Sequence, residues 1–324
     1  MTAHVCAGRQ QRPAGVGSRL PLAQLQHVIL VTGATGFIGR HLVAALRSHD
    51  RPTRCLVRSE ERARSLEQLG CTLARGDIGD PKSLRAACAG ANVVVHLVAI
   101  IRGKPGDYEH VMSEGTRSLI EAAADARVRR FILVSALGVS ESTRELTPYY
   151  RAKWYEEKAL KASGLEHVIF RPSFVFGRDG GVLPIFLRLV RYSPLTPVLG
   201  PGTQRLQPIA VGDVASHLAR AVDLEAARNH TFDLAGPDRV SWNELYELMA
   251  RLLGKRRRRV HIPFRLARVQ AALFERLPGF PFTRDQLKML AAGDNVGDLE
   301  TTSQVFGLSL MPLEEQVRQA VSGG

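Results

Sequence analysis

The chain has 324 residues, enough for one large core or for one core with a smaller attached lobe. Hydrophobic content of 45% and charged content of 23% are those of an ordinary globular protein, and no apolar run is long enough to cross a bilayer as a helix. The formal net charge of +13 points to an anionic partner. The four cysteines, Cys6, Cys55, Cys71 and Cys88, form no CxxC pair and have no histidine at zinc-ligand spacing, so free thiols in a reducing compartment and no metal site are expected.

Residues 1–26 carry three arginines and no acid. They lack the apolar stretch of a secretory signal and read as a flexible N-terminal extension, with an organelle transit peptide as the alternative. Next comes "HVILVTGATGFIG", residues 27–39. The β-branched run up to Thr32 has the pattern of a fully buried parallel strand. It leads into Gly33, Thr35, Gly36, Phe37, Ile38 and Gly39, then into an amphipathic helix over 36–48. Glycine is needed here because the chain turns sharply and its backbone must approach a pyrophosphate closely enough for helix N-terminal amides to bind it. The spacing is GxxGxxG, one residue longer in its first gap than the common dinucleotide fingerprint.

The second strand, "PTRCLVRS", places Arg58 where an NAD-binding chain usually has an acid for the ribose hydroxyls. A guanidinium there suits a 2′-phosphate, which favours NADP(H) and leaves NAD(H) as the alternative. Arg40 stands close enough in sequence to the glycine turn to assist. "GCTLARGDIGD" is a third short strand and sets Asp77 to accept from an adenine amino group. "ANVVVHLVAI", "RRFILVSALG" and "GLEHVIFRPSFVFG" are the fourth to sixth strands, separated by helices over 60–69, 81–89, 107–127 and 148–163. This alternation predicts an α/β fold with a doubly wound parallel sheet. In "TPYYRAKWYEEK", Tyr149 and Lys153 lie four apart, on one face of the last helix. They read either as an acid/base pair, with the ammonium lowering the phenol pKa, or as surface neighbours.

"TGATGFIG", "GDI", "EGTRSLIEAA", "YYRAK", "FRPSFVFG" and "QPIAVGDVA" occur in the order found in extended and atypical short-chain dehydrogenase/reductases, the NAD-dependent epimerase/dehydratase-like group, which the chain resembles from about residue 28 onward. The tail "FTRDQLKMLAAGDNVGD" is similar, more narrowly, to the dehydrogenase-like accessory subunit of respiratory complex I and its bacterial relatives. The resemblance implies that Gly33, Gly36 and Gly39 hold the pyrophosphate, with Thr32, Thr35, Phe37 and Ile38 also at the cofactor, Arg58 the 2′-phosphate, and Asp77 with Ile78 the adenine. Val98 and Ala99 would flank the nicotinamide-side ribose, with Pro172 and Ser173 shaping the nicotinamide end. Tyr149 would be the proton donor, and Lys153 would tune it and bind the ribose. It further implies a Rossmann domain over 27–173 plus 205–236 and a smaller, α-rich C-terminal lobe over 174–204 plus 237–324.

Two positions depart from the family pattern. Ala136 stands where active members have a Ser or Thr, and Ser135 lies one residue early, on the opposite face of a regular strand. A bulge that re-aims Ser135, or Ser140 and Ser142 from the loop, are the candidates to replace it. Met112 replaces the asparagine of the VNxxGT motif, here "VMSEGT". Two function classes follow: an NADP(H)-dependent oxidoreductase or isomerase using Tyr149, Lys153 and Ser135, and an accessory protein that keeps its nucleotide as a structural or redox-sensing element.

Between Arg251 and Arg276 there are nine Lys/Arg and one acid, Glu275. Within segment 255–278, Leu266, Val269, Leu273, Phe274 and Leu277 recur at helical spacing beside the run Lys255–Arg259. The stripe packs on the lobe beneath solvated cations, or it docks on an anionic membrane surface or membrane-bound respiratory complex. No DNA-reading motif accompanies the cations, which argues against nucleic acid. A cytoplasmic location is expected, with attachment at the inner face of the membrane as an option, or the mitochondrial matrix in a eukaryote.

Overall fold

The computed structural model describes residues 27–275 and 283–322, with the Phe274 side chain excepted. The expected extension 1–26 and the end of the apolar stripe at Leu277 lie outside the described residues.

Seven parallel strands form the central sheet. In chain order the first six are β1 (Val28–Thr32), β2 (Thr53–Val57), β3 (Thr72–Arg75), β4 (Ala91–His96), β5 (Arg130–Val134) and β6 (Glu166–Pro172). Across the sheet the order is β3-β2-β1-β4-β5-β6, closed by the strand His230–Leu234 beside β6. The direction of winding reverses between β1 and β4, which opens the crevice where open α/β sheets bind ligands.

Alternation along the strands supplies both faces. Ile29, Val31, Val93, Val95, Ile132, Val134, Val168 and Phe170 point into one core. Leu30, Val94, Phe131, Leu133 and Ile169 point into the other. Helix α1 (Phe37–Arg47) covers the first face together with Val211–Ala221. The second face is covered by α3 (Pro81–Cys88) and α5 (Gly115–Asp125), which follow the short α2 (Arg64–Gln68) and α4 (Pro105–Tyr108), and by Leu160 of α6 (Pro148–Ala162).

Several elements differ from the sequence reading. The helix expected over 107–127 is interrupted by a π-helical stretch at Glu109–Glu114, and Gly115 follows, where a Cβ would sit 2.8 Å from Ile78. The sixth strand splits at Pro172 and resumes as the short strand Val175–Gly177. The seventh strand, His230–Leu234, was not anticipated, although its Phe232 and Leu234 alternate inward. Cys55, Cys71 and Cys88 are free and buried.

The smaller lobe has its own core, in which Phe186, Trp242 and Tyr246 stack edge-on and Leu183, Leu245, Met249 and Val317 are buried. The helix Glu300–Phe306 does not share it. Its Phe306 is fully buried against Phe170 and Phe232 of the main sheet, and Thr302 donates to the Asp233 carbonyl (2.9 Å). The tail is therefore clamped to the sheet before it returns to the lobe. Phe306→Ala should destabilise the whole main domain by about 3–5 kcal/mol. Urea denaturation followed by far-UV circular dichroism measures this, and a loss below 1 kcal/mol would rule out the clamp.

Candidate active and nucleotide site

The turn after β1 is shaped by two close approaches. Gly33 has φ +75°, and a Cβ on it would press on the Leu97 carbonyl carbon and the Val98 amide nitrogen, both at 3.1 Å. Gly39 is buried inside α1, where a Cβ would run into the Gly33 carbonyl oxygen and the Ala34 Cα. Gly36 is the N-cap of α1 with no side-chain cap, and both it and Thr35 are exposed. The first amides of α1 are thus presented at the sheet's carboxyl edge, a geometry suited to a pyrophosphate. Phe37 turns away from this edge, its ring filling the space left by Gly177 and Gly180. Ile38 is half-buried against the first core.

Thr32, expected at the cofactor, is fully buried and its hydroxyl lies 2.6 Å from His96 Nδ1. The other nitrogen, Nε2, lies 2.9 Å from the Thr116 hydroxyl on α5. The sequence reading gave His96 no role. In the fold it ties β1, β4 and α5 beneath the turn, and burial, helped by the Lys153 charge, lowers its pKa to about 3.

At the far end of the crevice Arg58 is 81% exposed, with Nε 4.0 Å from Asp77 Oδ2. Arg75 ends β3 in register with Val57 and, with Arg58, Gly76, Asp77, Asp80 and Ser83, lines an open cleft. The sequence reading passed over Arg75, because only strand pairing brings it beside Arg58. Asp77 Oδ1 accepts from the Gly79 amide (2.8 Å), which fixes the carboxylate at the cleft wall. Ile78 is buried against Gly115. Arg40 is not at this cleft: it pairs with Asp179 at 3.2 Å, which His41 also contacts.

At the other end, Val98 is half-buried and Ala99 exposed just past β4. Pro172 accepts from the Leu137 amide (3.0 Å), and Ser173 donates to Asn295 of the tail at 2.5 Å. Tyr149 and Lys153 lie on α6, whose N-cap Thr147 accepts from the Tyr150 amide. The expectation that Lys153 lowers the Tyr149 pKa is not met. Lys153 Nζ donates to Glu156 Oε2 and to the Val134 carbonyl, each at 2.8 Å. Burial, then the negative charge of Glu156, hold the Tyr149 phenol above the ordinary tyrosine range.

Ser135 is buried and donates to Glu157 Oε1 (2.6 Å), whose carboxylate is gripped by Arg171 at 2.9 and 2.6 Å. Its hydroxyl is committed there because the regular end of β5 turns it away from half-exposed Ala136. Ser140 and Ser142 hydrogen-bond one another (3.0 Å) within their own turn, held by Thr143. Met112 is fully buried in an apolar cluster with Tyr108, Ala152 and Tyr149.

Residues 33–185 match a family model described as NAD(P)H-binding. The chain is 32% identical over 238 residues to the ceramide reductase of Caulobacter vibrioides, covering 73% of this chain and 74% of that one. It is 30% identical over 304 residues to the mitochondrial NADH dehydrogenase [ubiquinone] 1 alpha subcomplex subunit 9 of Arabidopsis thaliana, covering 88% and 74%. The chain belongs to the NAD(P)-binding short-chain dehydrogenase/reductase family. Among solved structures, the triphenylmethane reductase of Citrobacter sp. complexed with NADP(H) superposes with a TM-score of 0.73 at 22% identity, over 90% of this chain and 99% of that one, and shares the fold. Among the described residues, no helix is long and apolar enough to cross a membrane, and no group of three or more His, Cys, Asp or Glu could hold a metal ion.

His96 gives this family member a specific acid sensitivity. Its folded pKa of about 3 lies below the unfolded value of about 6.5, so the unfolded chain takes up the proton first. Stability is present above the unfolded value and should be lost as pH falls through that window, by up to about 1.4 kcal/mol per pH unit. Urea midpoints of wild type and His96→Gln across pH 4–7 provide the check. Parallel pH dependences in the two proteins would exclude His96 as the source.

Proposed function

We propose that the protein binds NADP(H) in preference to NAD(H) and keeps it as a structural or redox-sensing element at an anionic membrane surface. The role is that of an accessory component of a membrane-bound respiratory assembly. The observation that carries the nucleotide reading is the crevice itself. Its glycine turn presents the α1 amides at one end, and two guanidinium groups, Arg58 and Arg75, stand beside Asp77 at the other. A bound nicotinamide nucleotide supplies hydride chemistry. In this chain the glycine turn would seat the pyrophosphate, Arg58 the 2′-phosphate, and Asp77 with Ile78 the adenine. Val98, Ala99, Lys153 and Pro172 would line the nicotinamide end.

The accessory reading is supported by what surrounds Tyr149. Ser135 is engaged with Glu157, Met112 offers no polar group, and Lys153 is ion-paired with Glu156. An effective proton donor has a pKa near the working pH, and this phenol is pushed the other way. The relative named as a subunit of NADH dehydrogenase agrees with this role. The second reading is an NADP(H)-dependent reductase or isomerase acting on a hydrophobic or sugar-like carbonyl or hydroxyl compound. The retained Tyr149 and Lys153 on one face of α6 and the relative named ceramide reductase favour it.

The membrane contact rests on helix Phe264–Phe274. Ala267 and Ala271 face the lobe against Leu287, while Leu266, Val269 and Leu273 are 51%, 57% and 69% exposed. Of the neighbouring cations, Arg257 caps the helix Leu183–Tyr192 by donating to the Val190 and Arg191 carbonyls, both at 2.8 Å, and Arg259 donates to the Asn243 carbonyl. Arg265 and Arg268 are exposed on the same helix, and Lys255, Arg256 and Arg258 are exposed in the segment before it. An apolar strip bordered by cations complements an anionic lipid surface.

Calorimetric titration with NADPH and NADH tests the cofactor preference. Wild type should favour NADPH by tenfold or more, about 1.4 kcal/mol, and Arg58→Asp should abolish the difference. Tighter binding of NADH by wild type would overturn the assignment. Mass spectrometry of the co-purified nucleotide, and turnover assays in which ordinary enzymatic rates vanish in Tyr149→Phe, separate the accessory reading from the enzymatic one. Flotation with vesicles addresses the surface. Binding should require anionic lipid and weaken with salt, and the pair Leu266→Asp with Leu273→Asp should reduce it at least tenfold, about 1.4 kcal/mol. Equal binding to zwitterionic vesicles, or none to either kind, would refute the contact.

A further inference from the structure

We propose that Glu156 is a positioning residue that governs the Tyr149–Lys153 pair, its carboxylate capturing the Lys153 ammonium and withdrawing that charge from the phenol. The inference rests on the reading that Tyr149 and Lys153 line the nucleotide site. Three residues of α6 carry it. Tyr149 and Lys153 are four apart and Lys153 and Glu156 three apart, so both partners neighbour the lysine on the helix surface. The ammonium is 2.8 Å from Glu156 Oε2, with Lys153 1% and Glu156 0% exposed. Ions of solution do not reach such a pair, so the carboxylate largely cancels the ammonium for anything beyond it.

The neighbours leave Glu156 in sole possession of this role. On its own helix, adjacent Glu157 is held by Arg171 from β6, by Ser135 just past β5 and by Lys161 one turn on. From β4, His96 stays neutral, and from α5 the Thr116 hydroxyl meets the His96 ring and also supports the Glu156 carboxylate, adding no charge of its own. Tyr108 of α4 and Tyr150 of α6 add only phenols, whose titration burial also pushes upward. Glu156 Oε1 is buried with no hydrogen-bond partner among the described residues. A buried carboxylate with a bare oxygen is costly to retain, and its pKa is raised to about 7, chiefly by burial. Lys153 has three donors, of which Glu156 and the Val134 carbonyl take two, leaving one for a nucleotide ribose. The lysine can thus hold a ligand while its charge no longer favours a phenolate.

The experiment is a titration of 13Cζ-labelled tyrosines by NMR in the nucleotide-free, full-length protein, with Tyr149→Phe identifying the signal. In wild type Tyr149 should titrate above the ordinary phenol value of about 10. In Glu156→Gln, which keeps the shape and removes the charge, it should titrate about one to three units lower, the effect of a cation within reach of an acid. An unchanged Tyr149 in folded Glu156→Gln overturns the proposal. A wild-type Tyr149 that titrates below about 9, a unit under that reference, overturns it without any variant. NADPH and NADH titrations of the same samples address the site reading separately. Wild type that binds neither overturns that reading whatever Tyr149 does.

Discussion

The structure depends on how closely α1 approaches the end of β1. Gly33 lies against the Leu97–Val98 backbone, and Gly39 lies against Gly33 and Ala34. Side chains at these two points would separate the helix from the sheet. Because they are absent, the first amides of α1 open exactly over the crevice where the strand order reverses, between β1 and β4. His96 stabilises the same point from below by joining β1, β4 and α5. A neutral imidazole suits that position because it can pair with two hydroxyls without bringing a charge into the core.

Among the described residues, Lys153, Glu156 and Glu157 are buried at the Tyr149 end of the crevice, and each meets an opposite charge. Lys153 meets Glu156, and Arg171 meets Glu157, which also takes the Ser135 hydroxyl. Breaking the Lys153–Glu156 pair would strand a charge in a dry interior, which costs far more than the pair itself contributes. This matching has a chemical consequence. Groups that could activate a phenol are consumed in holding one another at the Tyr149 end of the crevice. The other end is the reverse: Arg58 and Arg75 are exposed and open to an anion.

The smaller lobe is joined to the sheet through its tail. Asn295 meets Ser173, and Phe306 enters the main core beyond it. The basic helix Phe264–Phe274 is carried on that lobe, anchored by Ala267 and Ala271 and by the Phe264 ring against Gly200. Small residues allow close packing on Leu287, and they leave Leu266, Val269 and Leu273 outward.

The sequence by itself determined six of the seven strands of the sheet, the glycine turn and the position of Arg58, because each is written in local pattern: buried β-branched runs, a turn that needs glycine, and a residue at a strand end. It also indicated, from strand alternation, that Ser135 would face away from Ala136. Partnership was decided only by tertiary structure. "YEEK" does not tell which glutamate takes Lys153 and which takes Arg171, since that depends on β5 and β6 arriving from elsewhere in the chain. Arg75 joined Arg58 through strand register, Arg40 was drawn to Asp179 from 139 residues away, and Phe306 found the main core across the lobe. The apolar stripe of the basic helix was legible as a stripe, but its direction was not. Periodicity defines a face of a helix, and only the packing of Ala267 and Ala271 on Leu287 settled which face the lobe buries.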